Sequence, residues 1–96
     1  MSARFDAIAA AIDTGRPAAA LSDLFANTEA LCERVAKEER SAELKALLTN
    51  VQTALRTWGE VWPRLGTTRD FHVAVAREAR LWAKRFSEAE PSSLRR

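Results

Sequence analysis

The chain has 96 residues, of which 47% are hydrophobic and 29% are charged, and its formal net charge at pH 7 is +2. A chain of this length forms one hydrophobic core, and its composition excludes the disordered and collagen-like classes. The single Cys excludes an intramolecular disulfide, Asp6 and Asp13 interrupt the apolar run that a secretory signal requires, and no run approaches the roughly 20 apolar residues that span a bilayer. We therefore expect one cytoplasmic domain over residues 1–90, followed by a flexible basic tail over residues 91–96.

Four successive segments carry their apolar residues on one narrow helical arc, with polar residues on the opposite side. Only a period of 3.6 residues returns side chains to one face in this way. Ala, Leu, Glu and Arg, all good helix formers, dominate the composition. The pattern predicts an all-α fold, and the abundance of Ala and the excess of Arg over Lys are typical of proteins from GC-rich bacterial genomes.

The first predicted helix is short and runs from about Ala3 to Thr14. Ser2 is placed to cap its first turn, and Gly15 is placed to end it. Its apolar arc consists of Phe5, Ile8, Ala9 and Ile12.

The second predicted helix follows Pro17, which suits a first turn because its missing N–H costs nothing there. Its apolar arc consists of Leu21, Leu24, Phe25, Thr28, Leu31, Cys32 and Val35. Continuing this arc would place Glu38 and Glu39 on the apolar face. The pattern therefore predicts that the helix ends in a turn from about Glu39 to Ser41.

The third predicted helix has Ser41 as its N-cap and the strongest apolar face of the chain. This face consists of Leu44, Leu47, Leu48, Val51, Leu55, Trp58 and Trp62. Pro63 disfavours helical geometry at Trp62, so we expect the helix to end there.

The fourth predicted helix is capped by Thr67 or Thr68 and ends near Glu90. Its inner arc consists of Phe71, Val75, Ala79, Trp82 and Phe86. Short connections between long helices predict antiparallel neighbours, hence an up-down bundle of three long helices with left-handed packing and a shorter N-terminal helix. A helical hairpin that completes its bundle by homodimerisation is the alternative.

The sequence offers two nucleophilic side chains, His72 and Cys32. A lone histidine on a helical bundle resembles histidine phosphotransfer domains in architecture, but those domains place a basic residue and a glycine shortly after the histidine, and this chain reads Val-Ala-Val-Ala-Arg there. A boundary histidine near the helix start is the competing interpretation. Cys32 lies on the inner arc of its helix, where a thiol behaves as a small hydrophobe, and a Cys32–His72 catalytic pair is the alternative.

Two further groups invite a site hypothesis. The carboxylates of Glu29, Glu33, Glu38, Glu39 and Glu43 are dense, but di-iron bundles add Glu-x-x-His motifs, whereas Arg69 stands three residues before His72. We interpret the carboxylates as a solvated face, with Glu29 and Glu33 pointing outward. The three tryptophans lie on apolar arcs and are assigned to the core, with a partner groove lined by Trp62 as the alternative.

The outer face of the fourth helix carries a stripe of cations, Arg69, Arg77, Arg80 and Lys84, with Arg85 to one side. Residues 1–48 contain six basic and eight acidic residues, whereas residues 49–96 contain nine basic and five acidic ones. Such a stripe is a solvated face, a docking surface for an acidic protein, or a surface that follows a phosphate backbone.

These observations favour a small helical protein-interaction module, acting as an adaptor, regulator or export-chaperone-like subunit without catalytic activity, cofactor or metal. Its expected partner is an acidic protein surface or an amphipathic helix bound by Arg69, Arg77, Arg80 and Lys84. Weak, sequence-independent nucleic-acid binding by the same face is one alternative function. Phosphotransfer through His72 is another.

Overall fold

The computed structural model describes residues 1–65 and 68–89, apart from the side chain of Leu65. These residues form four α-helices and no strand. The helices are α1 (Ser2–Asp13), α2 (Ala18–Glu38), α3 (Ala42–Leu65) and α4 (Arg69–Ala89). The predicted all-α fold, with one short helix followed by three long ones, is confirmed. The predicted cap Thr67, the predicted helix end Glu90 and the tail at 91–96 lie outside the described residues.

The end of α1 is set by Gly15, as the sequence predicts. Gly15 has a φ of 73°, a left-handed conformation that glycine adopts without steric cost. Its N–H donates to the Ile12 carbonyl at 3.1 Å, and the N–H of Arg16 donates to the Ala11 carbonyl at 3.2 Å. This pair of bonds is a Schellman motif, which satisfies the last carbonyls of the helix.

The helix beginnings differ in two places from the prediction. Ser2 is already helical and makes no cap, because the N-cap is Met1 and the first turn closes from the Arg4 N–H to the Met1 carbonyl at 3.0 Å. Pro17 precedes α2 as its N-cap instead of entering the first turn. Its carbonyl accepts the Leu21 N–H at 3.1 Å, so it still starts the hydrogen-bond ladder.

The turn between α2 and α3 is confirmed at Glu39 to Ser41. Glu39 is extended, and its Oε1 atom accepts the N–H groups of Arg40 and Ser41, each at 3.1 Å. Ser41 caps α3, since its Oγ accepts the Leu44 N–H at 3.3 Å. The chain therefore reverses within three residues, and α2 and α3 form an antiparallel hairpin.

The predicted end of α3 at Trp62 is wrong, because the helix continues through Pro63 to Leu65. A proline inside a helix lacks one N–H and its ring crowds the carbonyl four residues earlier, which here belongs to Gly59. The compensation is the burial of Trp62, whose ring centroid lies 5.3 Å from those of Phe25 and Phe71. Aromatic packing therefore keeps Trp62 helical against the local preference.

The four helices form two closely packed antiparallel pairs, α2 with α3 and α1 with α4. In the first pair, Phe25 packs against Trp58 and Trp62. In the second, the rings of Phe5 and Phe86 stack at 5.4 Å. This arrangement agrees with an up-down bundle, whereas packing handedness and homodimerisation stay predictions.

The core contains the predicted arc of α1 in full, together with most of the predicted arcs of α2, α3 and α4. The arc of α2 is the least accurate, because Leu24, Leu31 and Val35 are only half-buried and Ala36 is buried instead. The buried Thr28 hydroxyl accepts a hydrogen bond from the Arg4 Nε at 3.1 Å, which links α1 to α2. Among the described helices, none has a stretch long and apolar enough to cross a membrane.

Candidate functional site

The fourth helix has two faces of different character. Its inner face buries Val75, Ala76, Ala79, Trp82, Ala83 and Phe86. Its outer face exposes all four predicted cations, Arg69, Arg77, Arg80 and Lys84. The helical period produces this separation, because residues three, four, seven and eight apart share a side of a helix.

A shallow groove of about 490 Å³ runs along the outer face of α4. We call it the α4 groove, and its lining residues are Asp13, Val73, Ala76, Arg77, Arg80, Leu81 and Lys84. It brings together three of the four predicted cations. Arg69 does not line it and lies one helical turn before Val73.

Two apolar side chains stand among the cations of this groove. Val73 is 48% exposed and Leu81 is 49% exposed, and they are the large hydrophobic residues that the described part of the chain leaves exposed. Neither residue belongs to the core arc of α4, so the predicted site did not include them. Their spacing could have indicated their position, because Val73 and Leu81 each lie four residues from Arg77. Residues four apart share a side of a helix, so both fall on the basic side of α4.

The end of α1 borders one side of the α4 groove. Asp13 is the last residue of α1, and its Oδ2 atom forms an ion pair with the Nη2 atom of Arg80. Both side chains remain about half exposed, at 51% for Asp13 and 53% for Arg80. One of the three groove cations is therefore already engaged by a carboxylate of the same chain.

A second, smaller depression of about 250 Å³ continues along the seam between α1 and α4. Arg80 and Lys84 line it together with Asp6 of α1. On the α3 side of α4, the guanidinium carbon of Arg85 lies 4.8 Å from the centroid of the Trp82 ring, a cation–π contact. Arg80 thus meets the Asp13 carboxylate on the α1 side, while Arg77 lines the α4 groove without a described ion pair.

All three tryptophans are buried, so their assignment to the core is confirmed. Trp62 is only 1% exposed, which contradicts the alternative of a partner groove lined by its ring. The imidazole of His72 stacks on Trp62 with a centroid distance of 4.8 Å and an interplanar angle of 16°. The stack covers one face of the half-buried imidazole, and the phosphotransfer hypothesis stays a prediction.

Cys32 is fully buried on α2, as the core interpretation predicts. Burial raises the pKa of its thiol to about 11, although the positive charges of the chain's amino terminus and of Arg4 oppose this shift. A nucleophilic cysteine requires the thiolate and access to a substrate. Cys32 lies seven residues beyond Phe25 on α2, about 10 Å along the helix axis, and Phe25 is the residue whose ring contacts Trp62.

The acidic residues do not gather into a metal site, since the described residues contain no group of three or more potential metal ligands. Glu33 is exposed, as predicted, but Glu29 is half-buried and not simply outward. Its Oε2 atom accepts the Nε and Nη2 N–H groups of Arg56 at 3.0 and 2.8 Å. This contact raises the pKa of Arg56 and joins α2 to α3.

No family model, curated protein or solved structure matches this chain. The functional proposal therefore rests on the residues and geometry described above.

Proposed function

We propose that this protein is a small helical interaction module that binds an acidic protein partner through the α4 groove. In this proposal it acts as an adaptor, regulator or export-chaperone-like subunit in the cytoplasm, and it performs no chemistry of its own. The observation that carries the proposal is the pair of half-exposed side chains, Val73 and Leu81, set among Arg77, Arg80 and Lys84.

The mixture of apolar and cationic groups favours a protein partner over a nucleic acid. Phosphate backbones are bound chiefly by cations, and their affinity follows from counterion release. They gain nothing from aliphatic side chains such as Val73 and Leu81. Protein interfaces, in contrast, combine an apolar centre with a charged rim, and arginine is enriched in them.

The choice of an acidic partner follows from the charge of the groove. Arg77 and Lys84 line it without a described ion pair, whereas Asp13 is its single acidic lining residue. A partner of the same sign would be repelled, and an acidic one would be steered towards the groove. The excess of basic over acidic residues in positions 49–96 acts in the same direction.

The test is affinity capture of the tagged chain from lysate of its own source cells, with and without nuclease, followed by mass spectrometry. We expect a protein that survives nuclease treatment and is lost with Arg77→Glu. Arg77 is the residue of choice because reversing Arg80 would also set a repulsive pair against Asp13. The thermal melt of Arg77→Glu should match that of the unmodified chain, because Arg77 is exposed.

Arg34→Glu is the matched control, since it makes the same change of charge at an exposed position of α2, away from the α4 groove. Capture that survives Arg34→Glu but not Arg77→Glu supports the proposal. Equal capture by both variants contradicts it. Loss of all captured material after nuclease, with an affinity that falls linearly with salt on logarithmic axes, would instead identify a nucleic-acid-binding face.

A further inference from the structure

We propose that the α4 groove receives an acidic amphipathic helix, and that a carboxylate of this helix replaces Asp13 as the ion-pair partner of Arg80. This inference rests on the proposed function, because it specifies the partner of the same groove. It adds two claims, namely the secondary structure of the ligand and an internal competitor for it.

The spacing of the apolar side chains favours a helical ligand. Val73 and Leu81 are separated by eight residues of one helix, which corresponds to about 12 Å along its axis. A helix laid along α4 contacts both of them with apolar side chains about two turns apart. Buried Ala76 lines the groove between these two contacts and leaves room for a close approach.

The hydrogen-bonding needs of the ligand backbone also favour a helix. An extended peptide buried in a groove needs hydrogen-bond partners for its N–H and C=O groups, and it usually obtains them from the edge of a sheet. The described residues of this protein contain four helices and no strand that would offer such an edge. A helical ligand satisfies its own backbone and does not depend on one.

The cations define the charge pattern of this helix. Arg77 lies between the two apolar side chains along α4, while Lys84 lies beyond Leu81. The cations thus stand between and beside the apolar contacts, and charged residues in such places select a partner helix by opposite charge. The ligand is therefore apolar along one stripe, with acidic residues beside it.

Asp13 occupies the place that a ligand carboxylate would take at Arg80. It lies at the fixed end of α1, because the Schellman bonds at Gly15 and Arg16 terminate the helix immediately after it. Half-exposed ion pairs of this kind contribute little to stability and exchange readily with other partners. Asp13 therefore weakens binding by competing for Arg80 without closing the groove.

The probe for this inference is a fluorescent synthetic peptide of about three heptads, with Leu at the seam positions and Glu on both sides. A second peptide of identical composition, scrambled to remove the apolar stripe, is its control. Fluorescence anisotropy at low salt measures both affinities. We expect the patterned peptide to bind more tightly than the scrambled one and to gain helical circular dichroism on binding.

The competition is tested by neutralising Asp13. Asp13→Asn should tighten binding of the patterned peptide by about two- to fivefold, the range expected for an exposed charge pair. Asp23→Asn, the same change at an exposed position of α2, controls for net charge and should leave the affinity nearly unchanged. In an Arg80→Met background the gain from Asp13→Asn should disappear, because the two residues then no longer interact.

Equal binding of the patterned and scrambled peptides would overturn the helical ligand. A gain from Asp13→Asn that persists with Arg80→Met, or equals the gain from Asp23→Asn, would overturn the competition. Either result leaves the proposed function standing as long as capture of a protein still depends on Arg77. Failure of the proposed function is recognised separately, by capture that does not respond to Arg77→Glu.

Discussion

The two helix pairs of this protein are packed by side chains of different size. Large rings join α2 to α3, where Phe25 packs against Trp58 and Trp62. The pair of α1 and α4 also contains two stacked rings, Phe5 and Phe86, but it adds buried alanines, with Ala9 on one helix and Ala76, Ala79 and Ala83 on the other. Small side chains let two backbones approach closely. On the outer face of α4, Val73 and Leu81 stay about half exposed.

Each helix pair contains an ion pair between its two helices, and these two ion pairs differ in how exposed their carboxylates are. Glu29 is 24% exposed and accepts two N–H groups of Arg56. Asp13 and Arg80 are both about half exposed and line the α4 groove. The first pair is a contact between neighbouring helices of the hairpin, whereas the second belongs to a surface that can accept another charge.

The largest expected effect on stability concerns the pair of α2 and α3, which large rings pack together. Trp62→Ala should destabilise the protein by about 3–5 kcal/mol, because it removes the ring that contacts Phe25, Phe71 and His72 and leaves a cavity. Urea unfolding followed by far-UV circular dichroism measures the change. A loss below about 1 kcal/mol would show that Trp62 is not a central core residue.

The pair of α1 and α4 should be destabilised by a larger side chain in place of a buried alanine. Ala79 is fully buried on the inner face of α4, so Ala79→Leu should force α1 away from α4 and cost about 1–3 kcal/mol. Ala74→Leu, at an exposed position of the same helix, is the matched control and should be close to neutral. If both variants melt alike, close approach is not what holds α1 to α4.

The alkaline limit of stability should depend on Cys32. The folded-state pKa of about 11 exceeds the ordinary value of 9.0, so the unfolded chain loses the thiol proton at lower pH than the folded one. The stabilising contribution is therefore complete below about pH 9 and is lost as the pH rises towards 11. The measurement is the difference in unfolding free energy between the unmodified chain and Cys32→Ala, which should fall over this interval. A constant difference would contradict the raised pKa.

The smallest expected effects concern the two ion pairs. Glu29→Gln should lower the melting temperature slightly, because a half-buried acceptor loses its charge opposite Arg56. Asp13→Asn should leave the melting temperature unchanged, since both partners are half exposed. Thermal melts at low and high salt measure both. If Asp13→Asn lowers the melting temperature more than Glu29→Gln does, the ion pair of Asp13 stabilises the fold and is not free to exchange in the α4 groove.

Periodicity was sufficient to predict the four helices and most of the residues that face the core. The arc of α1 and the three buried tryptophans follow from the 3.6-residue period alone, and the turn at Glu39 follows from the failure of that period. Alanine is only weakly hydrophobic and marks a helix face poorly, so the buried positions Ala36, Ala76 and Ala83 were not predicted.

Apart from the helix starts at Ser2 and Pro17, the errors arise where a residue's neighbours come from another helix. The prediction for Pro63 considered its local strain and could not include the packing of Trp62 against α2 and α4. The cations of α4 were located correctly, but their pairing with Asp13 depends on where α1 ends in space. The contacts between helices depend on how the whole bundle is assembled. The apolar pattern of a single helix does not predict which side of it a neighbouring helix covers.

The most direct test of the central claim is photocrosslinking from inside the α4 groove. A photoreactive residue replaces Leu81, and the same residue at exposed Thr53 of α3 is the control. Irradiation in the source cells should give one discrete protein adduct from position 81, which disappears with Arg77→Glu and is absent from position 53. No adduct from position 81, or the same adducts from both positions, would contradict a binding site in the α4 groove.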